Sequence, residues 1–273
     1  MPKVWLVTGC SRGLGRATAE AVLEAGDTLV ATARSTSDLA FLPASHRLRT
    51  LALDVTDARA AGAAVKEAVS VFGRLDVVVN NAGFIRANSI EDEPEDEFRR
   101  QFEINFFGAY HLAHAALPVM RAQRDGHIIL VASIGARRHT PGLGAYQPAK
   151  AAVGAFSEVL AKEVTPLGIR VTCIEPGGMR TDMFGTSMLS KSLKPDYEPT
   201  IGTTIRAVFG NPAAATSDPK KVAHAILRVS REKEPPVRLL LGSDAVRIAS
   251  AALADRARAD EQWKELSVST DFG

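Results

Sequence analysis

The chain has 273 residues, 33 basic and 31 acidic, with a formal charge of +2 and nearly half its residues hydrophobic. That length suits one large α/β domain or at most two small ones, and the apolar fraction allows a sizeable core. The charge balance gives no electrostatic case for a nucleic-acid or membrane-surface partner. No uninterrupted apolar stretch reaches the roughly 20 residues a membrane span needs, and the first apolar run, from Val4, leads straight into a glycine loop rather than a signal-peptide cleavage site. Two cysteines, Cys10 in an expected loop and Cys173 in an expected buried strand, fit a reduced, cytoplasmic, soluble chain.

In chain order, short runs rich in Val, Ile and Leu alternate with helical patterns. Val4–Val7, Thr28–Ala33, Leu51–Leu53, Val77–Val79, His127–Ala132 and Arg170–Ile174 read as strands covered on both faces. Leu14–Ala25, Ala58–Phe72, Glu95–Arg121 and Ala149–Thr165 read as helices between them. This rhythm predicts a single α/β domain with a doubly wound parallel sheet, its ligand at the carboxyl ends of the strands. The rhythm lapses between about Phe184 and Ser217, where a variable substrate lid is expected. A helix over Pro219–Arg231, a strand over Val237–Leu241 and a helix from about Asp244 complete the chain. The acidic run Glu91–Glu97 is expected to flank or open a helix on a solvated surface.

Thr8-Gly9-Cys10-Ser11-Arg12-Gly13-Leu14-Gly15 follows the first strand and opens the first helix. Gly9 permits a tight turn, Gly13 lets backbone approach a pyrophosphate, and Gly15 lets helix and strand pack closely. The helix N-terminus offers free N–H groups to phosphates. A glycine trio alone is a weak signal; strand before and helix after strengthen it. At the end of the second strand, where an NAD enzyme places an acid for the ribose 2′-hydroxyl, the sequence reads Thr32-Ala33-Arg34-Ser35. Arg34, with Arg12 from the glycine loop, can grip a 2′-phosphate, so NADP(H) is the expected cofactor.

The spacing T-G-x-x-x-G-x-G resembles that of the short-chain dehydrogenase/reductase family. Further matches are Asp54-Val55, Asn80-Asn81-Ala82-Gly83 and Pro176-Gly177-Gly178-Met179-Arg180-Thr181, so that the motifs run over residues 4 to 181. The resemblance implies that Asp54 and Val55 contact adenine. It implies that Asn81, Ala82 and Gly83 brace the sheet and line the adenosine and nicotinamide ribose. It also implies that backbone near Gly178 and Met179, with the Thr181 hydroxyl, holds the nicotinamide amide. Taken alone, Asp54 reads equally as a capping aspartate, and the proline-glycine motif as a turn.

Tyr146-Gln147-Pro148-Ala149-Lys150 carries the expected chemistry. Tyr and Lys at i and i+4 share a helix face. A lysine ammonium about 4 Å from the phenol is worth roughly 4 kcal/mol at an effective dielectric of 20. That equals about three pKa units, enough to bring tyrosinate near physiological pH. Tyr146 would then donate a proton to a carbonyl or accept one from an alcohol, and Lys150 would also hold the nicotinamide ribose. The resemblance implies that Ser133 hydrogen-bonds the substrate oxygen and that Asn105 supports a water relay reaching the lysine. Pro148 stands where the family usually has alanine. A proline is harmless only in a first turn, so the helix should begin no more than about four residues before it.

Phe84, Met183, Phe184 and parts of Leu189–Phe209 are candidate substrate contacts, and their apolar bias suggests a hydrophobic ketone. The segments Pro235-Pro236-Val237-Arg238 and Leu241-Gly242-Ser243-Asp244 look like the branch related to 17β-hydroxysteroid dehydrogenases. By resemblance, a homodimer or homotetramer is expected. His111 and His114 lack an evident third ligand, so no metal site is expected. His139 reads as a solvated loop residue and Cys10 as a small space-filler. Two alternatives remain open: a sugar-nucleotide epimerase or dehydratase, which the glycine spacing and modest length disfavour, and a non-catalytic dinucleotide sensor, which would have no use for Ser133, Tyr146 and Lys150 together.

Overall fold

The computed structural model describes residues 2–179, 193–210 and 215–272. Among them β1 (Val4–Val7), β2 (Thr28–Ala33), β3 (Leu48–Ala52), β4 (Val77–Asn80), β5 (Gly126–Val131), β6 (Ile169–Pro176) and β7 (Arg238–Leu241) form one sheet in the order β3-β2-β1-β4-β5-β6-β7. Every pairing in it is parallel. The helices are α1 (Gly13–Glu24), α2 (Ala58–Phe72), α3 (Glu95–Phe102), α4 (Gly108–Gln123), α5 (Tyr146–Val164), α6 (Thr203–Phe209), α7 (Pro219–Val229), α8 (Ser243–Gln262) and α9 (Lys264–Val268).

The continuous apolar strands have the burial that their composition requires. Leu6, Val30, Val78, Ile128 and Leu130 enter one core with α2, α4 and α5. Trp5, Val7, Leu29, Val77, Val79 and Ile129 point the other way, against α1 and α7. Successive side chains of a strand alternate faces, so a run such as Val77–Val79 is apolar throughout only because both faces are covered. The chain winds outward from β1 in one direction, then returns to start β4 on its other side. The loops after β1 and β4 therefore face one another across the switch point, where ligands of such sheets bind.

The architecture is the doubly wound parallel sheet expected from the sequence, with local departures. The third strand begins at Leu48 rather than Leu51, because β3 is an edge strand with a half-exposed pattern and lacks a continuous apolar run. The single helix expected over Glu95–Arg121 is α3, a π-turn over Glu103–Phe107, and α4, which carries Pro118 internally. α5 begins at Tyr146, two residues before Pro148, so the missing proline N–H falls among the first-turn donors that have no helical partner. In the stretch expected to lack periodic structure, the described residues include a 3-10 turn (Pro195–Tyr197), a π-turn (Glu198–Gly202) and α6. There Ile201 and Ile205, with Tyr197, form a separate small apolar cluster on Ala87 and Leu143.

Candidate active site

The glycine loop is built around close approaches. Gly9 (φ +70°) and Gly13 (φ +56°) occupy left-handed conformations. A Cβ on Gly15 would lie 2.1 Å from the Gly9 carbonyl oxygen and 2.5 Å from Asn81 Nδ2. Asn81 Nδ2 donates to Thr8 O at 2.8 Å, while Thr8 Oγ1 accepts from the amides of Asn81 and Ala82, each at 3.0 Å. The loops after β1 and β4 are thus one braced unit. Cys10 is buried there; burial pushes its thiol up to about 12, and it donates to Val7 O at 3.2 Å, as a space-filler would. Ser11 sits in the same turn, and Leu14, in the first turn of α1, is buried.

Arg12 N-caps α1 in extended backbone and its side chain makes no capping bond. Arg12 and Arg34 are both exposed, and among the described residues neither side chain has an ion-pair or hydrogen-bond partner. Ser35 beside Arg34 caps a 3-10 turn by accepting from the Ser37 amide at 3.3 Å. Asp54 accepts from Thr56 N at 3.0 Å and Thr56 Oγ1 at 2.8 Å, so it shapes the turn before α2. The cap of α2 itself is Asp57, which accepts from Arg59 N and Ala60 N. Val55 packs on α4, where a Cβ on Gly108 would come within 2.7 Å of its Cγ2. A glycine cradle that side chains would fill, an uncapped helix start and two unengaged guanidiniums fit a dinucleotide phosphate chain.

The catalytic candidates converge at the carboxyl ends of β4 and β5. Ser133 follows β5, and its Oγ accepts from Gly135 N at 3.0 Å, which leaves the hydroxyl hydrogen for another acceptor. Lys150 is buried and its Nζ donates to Val131 O at 2.8 Å. It lies 5.9 Å from the centre of the Tyr146 ring, one helical turn away. The π-turn between α3 and α4 places Asn105 in the same space. Its Nδ2 donates to Phe84 O at 2.8 Å and Gln101 O at 2.9 Å, and its Oδ1 accepts from Phe84 N at 3.2 Å. A Cβ on Gly83 would meet Asn105 Oδ1 at 2.8 Å and Lys150 Nζ at 3.4 Å, so only glycine leaves that space open.

The electrostatics differ from the expectation of a phenol acidified by lysine. Burial raises the Tyr146 pKa above its ordinary value, and the neighbouring Ser133 hydroxyl only partly opposes this. Burial also pushes Lys150 down to about 8. The low-dielectric setting that would strengthen the attraction between ammonium and phenolate disfavours both charges to begin with.

Beyond β6, Gly177 N donates to Leu241 O at 2.9 Å and Gly178 N donates to Asp244 Oδ2 at 2.8 Å. Met179 bridges to Ser217. Pro176 ends the strand. Thr181, Met183 and Phe184 lie outside the described residues. Phe84 is half-buried, with the Arg100 guanidinium 5.2 Å from its ring centre.

Several engaged residues were given no such role by the sequence. Glu175 is fully buried between Arg137 and Arg238. Asp244 holds the loop after β6. Glu91 accepts from Tyr197 Oη at 2.7 Å and from Lys194, so the acidic run expected to be merely solvated also ties down the segment from residue 193. Its other part does open α3, with Glu95, Asp96 and Glu97 in the first turn. Among the described residues no three His, Cys, Asp or Glu side chains group as metal ligands. No helix there is long and apolar enough to cross a membrane.

A parallel doubly wound sheet whose switch point carries this glycine cradle defines a dinucleotide-binding protein of Rossmann-like fold. Residues 3–191 match the short chain dehydrogenase family. The chain is 45% identical over 273 residues to the oxidoreductase BOA17 of Botryotinia fuckeliana, covering 99% of this chain and 100% of that one. It superposes on a short-chain dehydrogenase from Streptomyces avermitilis with a TM-score of 0.91 at 39% identity, over 100% of both chains. It superposes on a 3-ketoacyl-(acyl-carrier-protein) reductase from Brucella melitensis, solved with NADH, with a TM-score of 0.74 at 25% identity, over 88% of this chain and 96% of that one. The chain belongs to the short-chain dehydrogenase/reductase family.

Proposed function

We propose that the protein is an NADPH-dependent reductase of a hydrophobic ketone, with Tyr146 as the proton donor. The observation that carries this reading is the convergence of Tyr146, Ser133, Lys150 and Asn105 beside the glycine cradle, with the phenol kept protonated by burial. A bound dinucleotide supplies the hydride that the carbonyl carbon receives. Ser133 donates its hydroxyl hydrogen to the carbonyl oxygen and stabilises the charge developing there. Tyr146 Oη delivers the proton that completes the alcohol, and the Lys150 ammonium stabilises the phenolate left behind. Asn105 fixes the backbone at Phe84 and, with Lys150, borders the space beside Gly83 through which the phenol regains its proton.

NADPH rather than NADH is favoured by Arg12 and Arg34, two exposed guanidiniums without side-chain partners among the described residues, and by the lack of an acid in Thr32-Ala33-Arg34-Ser35 at the end of β2. The half-buried Phe84 beside Asn105 supports a hydrophobic substrate. We read the stretch from about residue 184 to 217 as the substrate cover, with Met183 and Phe184 as candidate substrate contacts and Thr181 as a candidate nicotinamide contact.

The test is Tyr146→Phe. NADPH binding, followed by nicotinamide fluorescence, should persist, while ketone reduction falls by about 10²–10⁴-fold. Turnover at the original rate would overturn the role of Tyr146. An original chain that binds NADPH yet reduces nothing in a broad ketone panel would favour a dinucleotide sensor instead.

A further inference from the structure

The chain after β6 has a backbone problem. Pro176 offers no N–H, Gly177 N makes the last ladder bond to β7 at Leu241 O, and Gly178 N comes next with no strand to donate to. Asp244, in the first turn of α8, meets that need with Oδ2 at 2.8 Å. Its other oxygen, Oδ1, accepts from Thr216 Oγ1 at 2.7 Å. The Thr216 neighbourhood is in turn paired to the same loop: Ser217 N donates to Gly178 O at 2.9 Å, and Met179 bridges to Ser217. One carboxylate thus joins two stretches that lie almost forty residues apart in the chain.

The glycines around it are there for room. A Cβ on Gly177 would lie 2.1 Å from Asp244 Oδ1. Gly242, at φ +108°, is in a conformation open essentially to glycine, and a Cβ there would be 2.7 Å from Asp244 Oδ1 and 2.5 Å from Ser217 Oγ. An acid in a helix's first turn usually serves the helix. Here no side chain caps α8 at its N-terminus, and both Asp244 oxygens are taken up by other segments.

We infer that Asp244 is a positioning residue that sets the backbone of Gly177–Met179 by clamping it to Thr216 and Ser217, and so fixes how that loop presents its remaining amide, that of Met179, to the nicotinamide end of the cofactor. The clamp is a matter of geometry; its service to the cofactor rests on the function proposed above. Both carboxylate oxygens are held by protein groups, so the loss of Asp244 should appear in binding more than in chemistry.

Amide hydrogen exchange and steady-state kinetics on the full chain test this with Asp244→Ala, Asp244→Asn and Thr216→Val. In Asp244→Ala, peptides covering Gly178 and Ser217 should exchange at least tenfold faster while β5 and α5 keep their protection. KM for NADPH should rise tenfold or more with kcat changed less than threefold. Asp244→Asn, which keeps the shape and one acceptor oxygen, should fall between the two and serves if the alanine variant does not fold. Asp244→Ala and Thr216→Val should be non-additive, because both cut one clamp. Unchanged exchange at Gly178, additive losses, or faster exchange with an unmoved KM would each overturn the inference. The exchange readout needs no turnover. An original chain that binds no nicotinamide dinucleotide therefore sinks the functional reading separately, and the positioning role with it.

Discussion

Arg137 Nε donates to Glu175 Oε2 at 2.8 Å, fixing the loop that begins at Ser133 to the last turn of strand before the Pro176-Gly177 loop. Glu175 has no exposed side-chain surface and takes Arg238 as its second partner, whereas the two arginines keep 32% and 23% of their side chains in water. That asymmetry decides which truncation hurts. Removing both arginines strands a buried carboxylate, a change that costs about 3–5 kcal/mol. Glu175→Gln leaves guanidiniums that can turn toward solvent and still hydrogen-bond the amide, for a loss of about 1–3 kcal/mol. Urea unfolding should rank Arg137→Met/Arg238→Met well below Glu175→Gln. The reverse order would mean that the network is held by the arginines' own packing.

What the sequence made legible follows from which forces leave periodic marks. Val77–Val79 could be read as a central strand because burial on both faces demands unbroken apolarity, and the start of α5 could be placed because Pro148 tolerates only a first turn. The Gly9, Gly13 and Gly15 spacing was readable because each glycine answers a local backbone need. Contacts such as Arg137 with Glu175, Gly178 with Asp244 and Lys194 with Glu91 join residues 38, 66 and 103 positions apart, and single polar pairs leave no period. The π-turn at Asn105 was hidden for a related reason: an extra residue in one turn barely disturbs a helical pattern. α6 was hidden because seven residues are too few to establish one.

Cofactor choice should reside in Arg34. Replacing it by Asp puts a carboxylate where NADPH would carry its 2′-phosphate and offers an acceptor to the ribose hydroxyl of NADH. A charge-assisted hydrogen bond is worth about 1.5–3 kcal/mol, so kcat/KM for NADPH should fall roughly 10–150-fold, more with the added repulsion, while that for NADH rises. Measuring both coenzymes at equal salt checks it. An original enzyme that uses NADH as well as NADPH, or a variant with an unshifted ratio, removes Arg12 and Arg34 from the cofactor site.

Two glycine-to-alanine changes should move stability in opposite directions. In Gly15→Ala the new methyl would sit 2.1 Å from the Gly9 carbonyl, so α1 must retreat from the loop. Stability and dinucleotide affinity should both drop, the latter by tenfold or more. Gly62 lies inside α2, and a Cβ there meets nothing within 4 Å. Gly62→Ala should therefore stabilise by about 0.5–1 kcal/mol and leave NADPH binding alone. Thermal unfolding of the pair with and without NADPH separates the effects. A neutral Gly15→Ala would mean that the helix and loop are not locked together.

The chain should also lose stability in mild acid through one core histidine. His127, on β5, is fully buried, with Nε2 2.9 Å from Thr172 Oγ1. Burial first, then the charges of Arg170 and Lys3, push its pKa down to about 3 from an ordinary 6.5. Between those values the unfolded chain binds a proton that the folded chain refuses, so stability is full above pH 6.5 and drains as the pH falls toward 3. One such group contributes up to about 1.4 kcal/mol per pH unit, or about 2 kcal/mol between pH 6.5 and 5. Lys150 adds a second window of the same sign. Its pKa is lowered to about 8 from 10.5, so the unfolded chain carries the extra proton between these values and stability climbs with pH across them. Urea titrations of His127→Asn should show the acid slope reduced with the alkaline one intact, and Lys150→Met the converse. A His127→Asn variant as acid-sensitive as the original chain would place the protonating group elsewhere and leave His127 as packing alone.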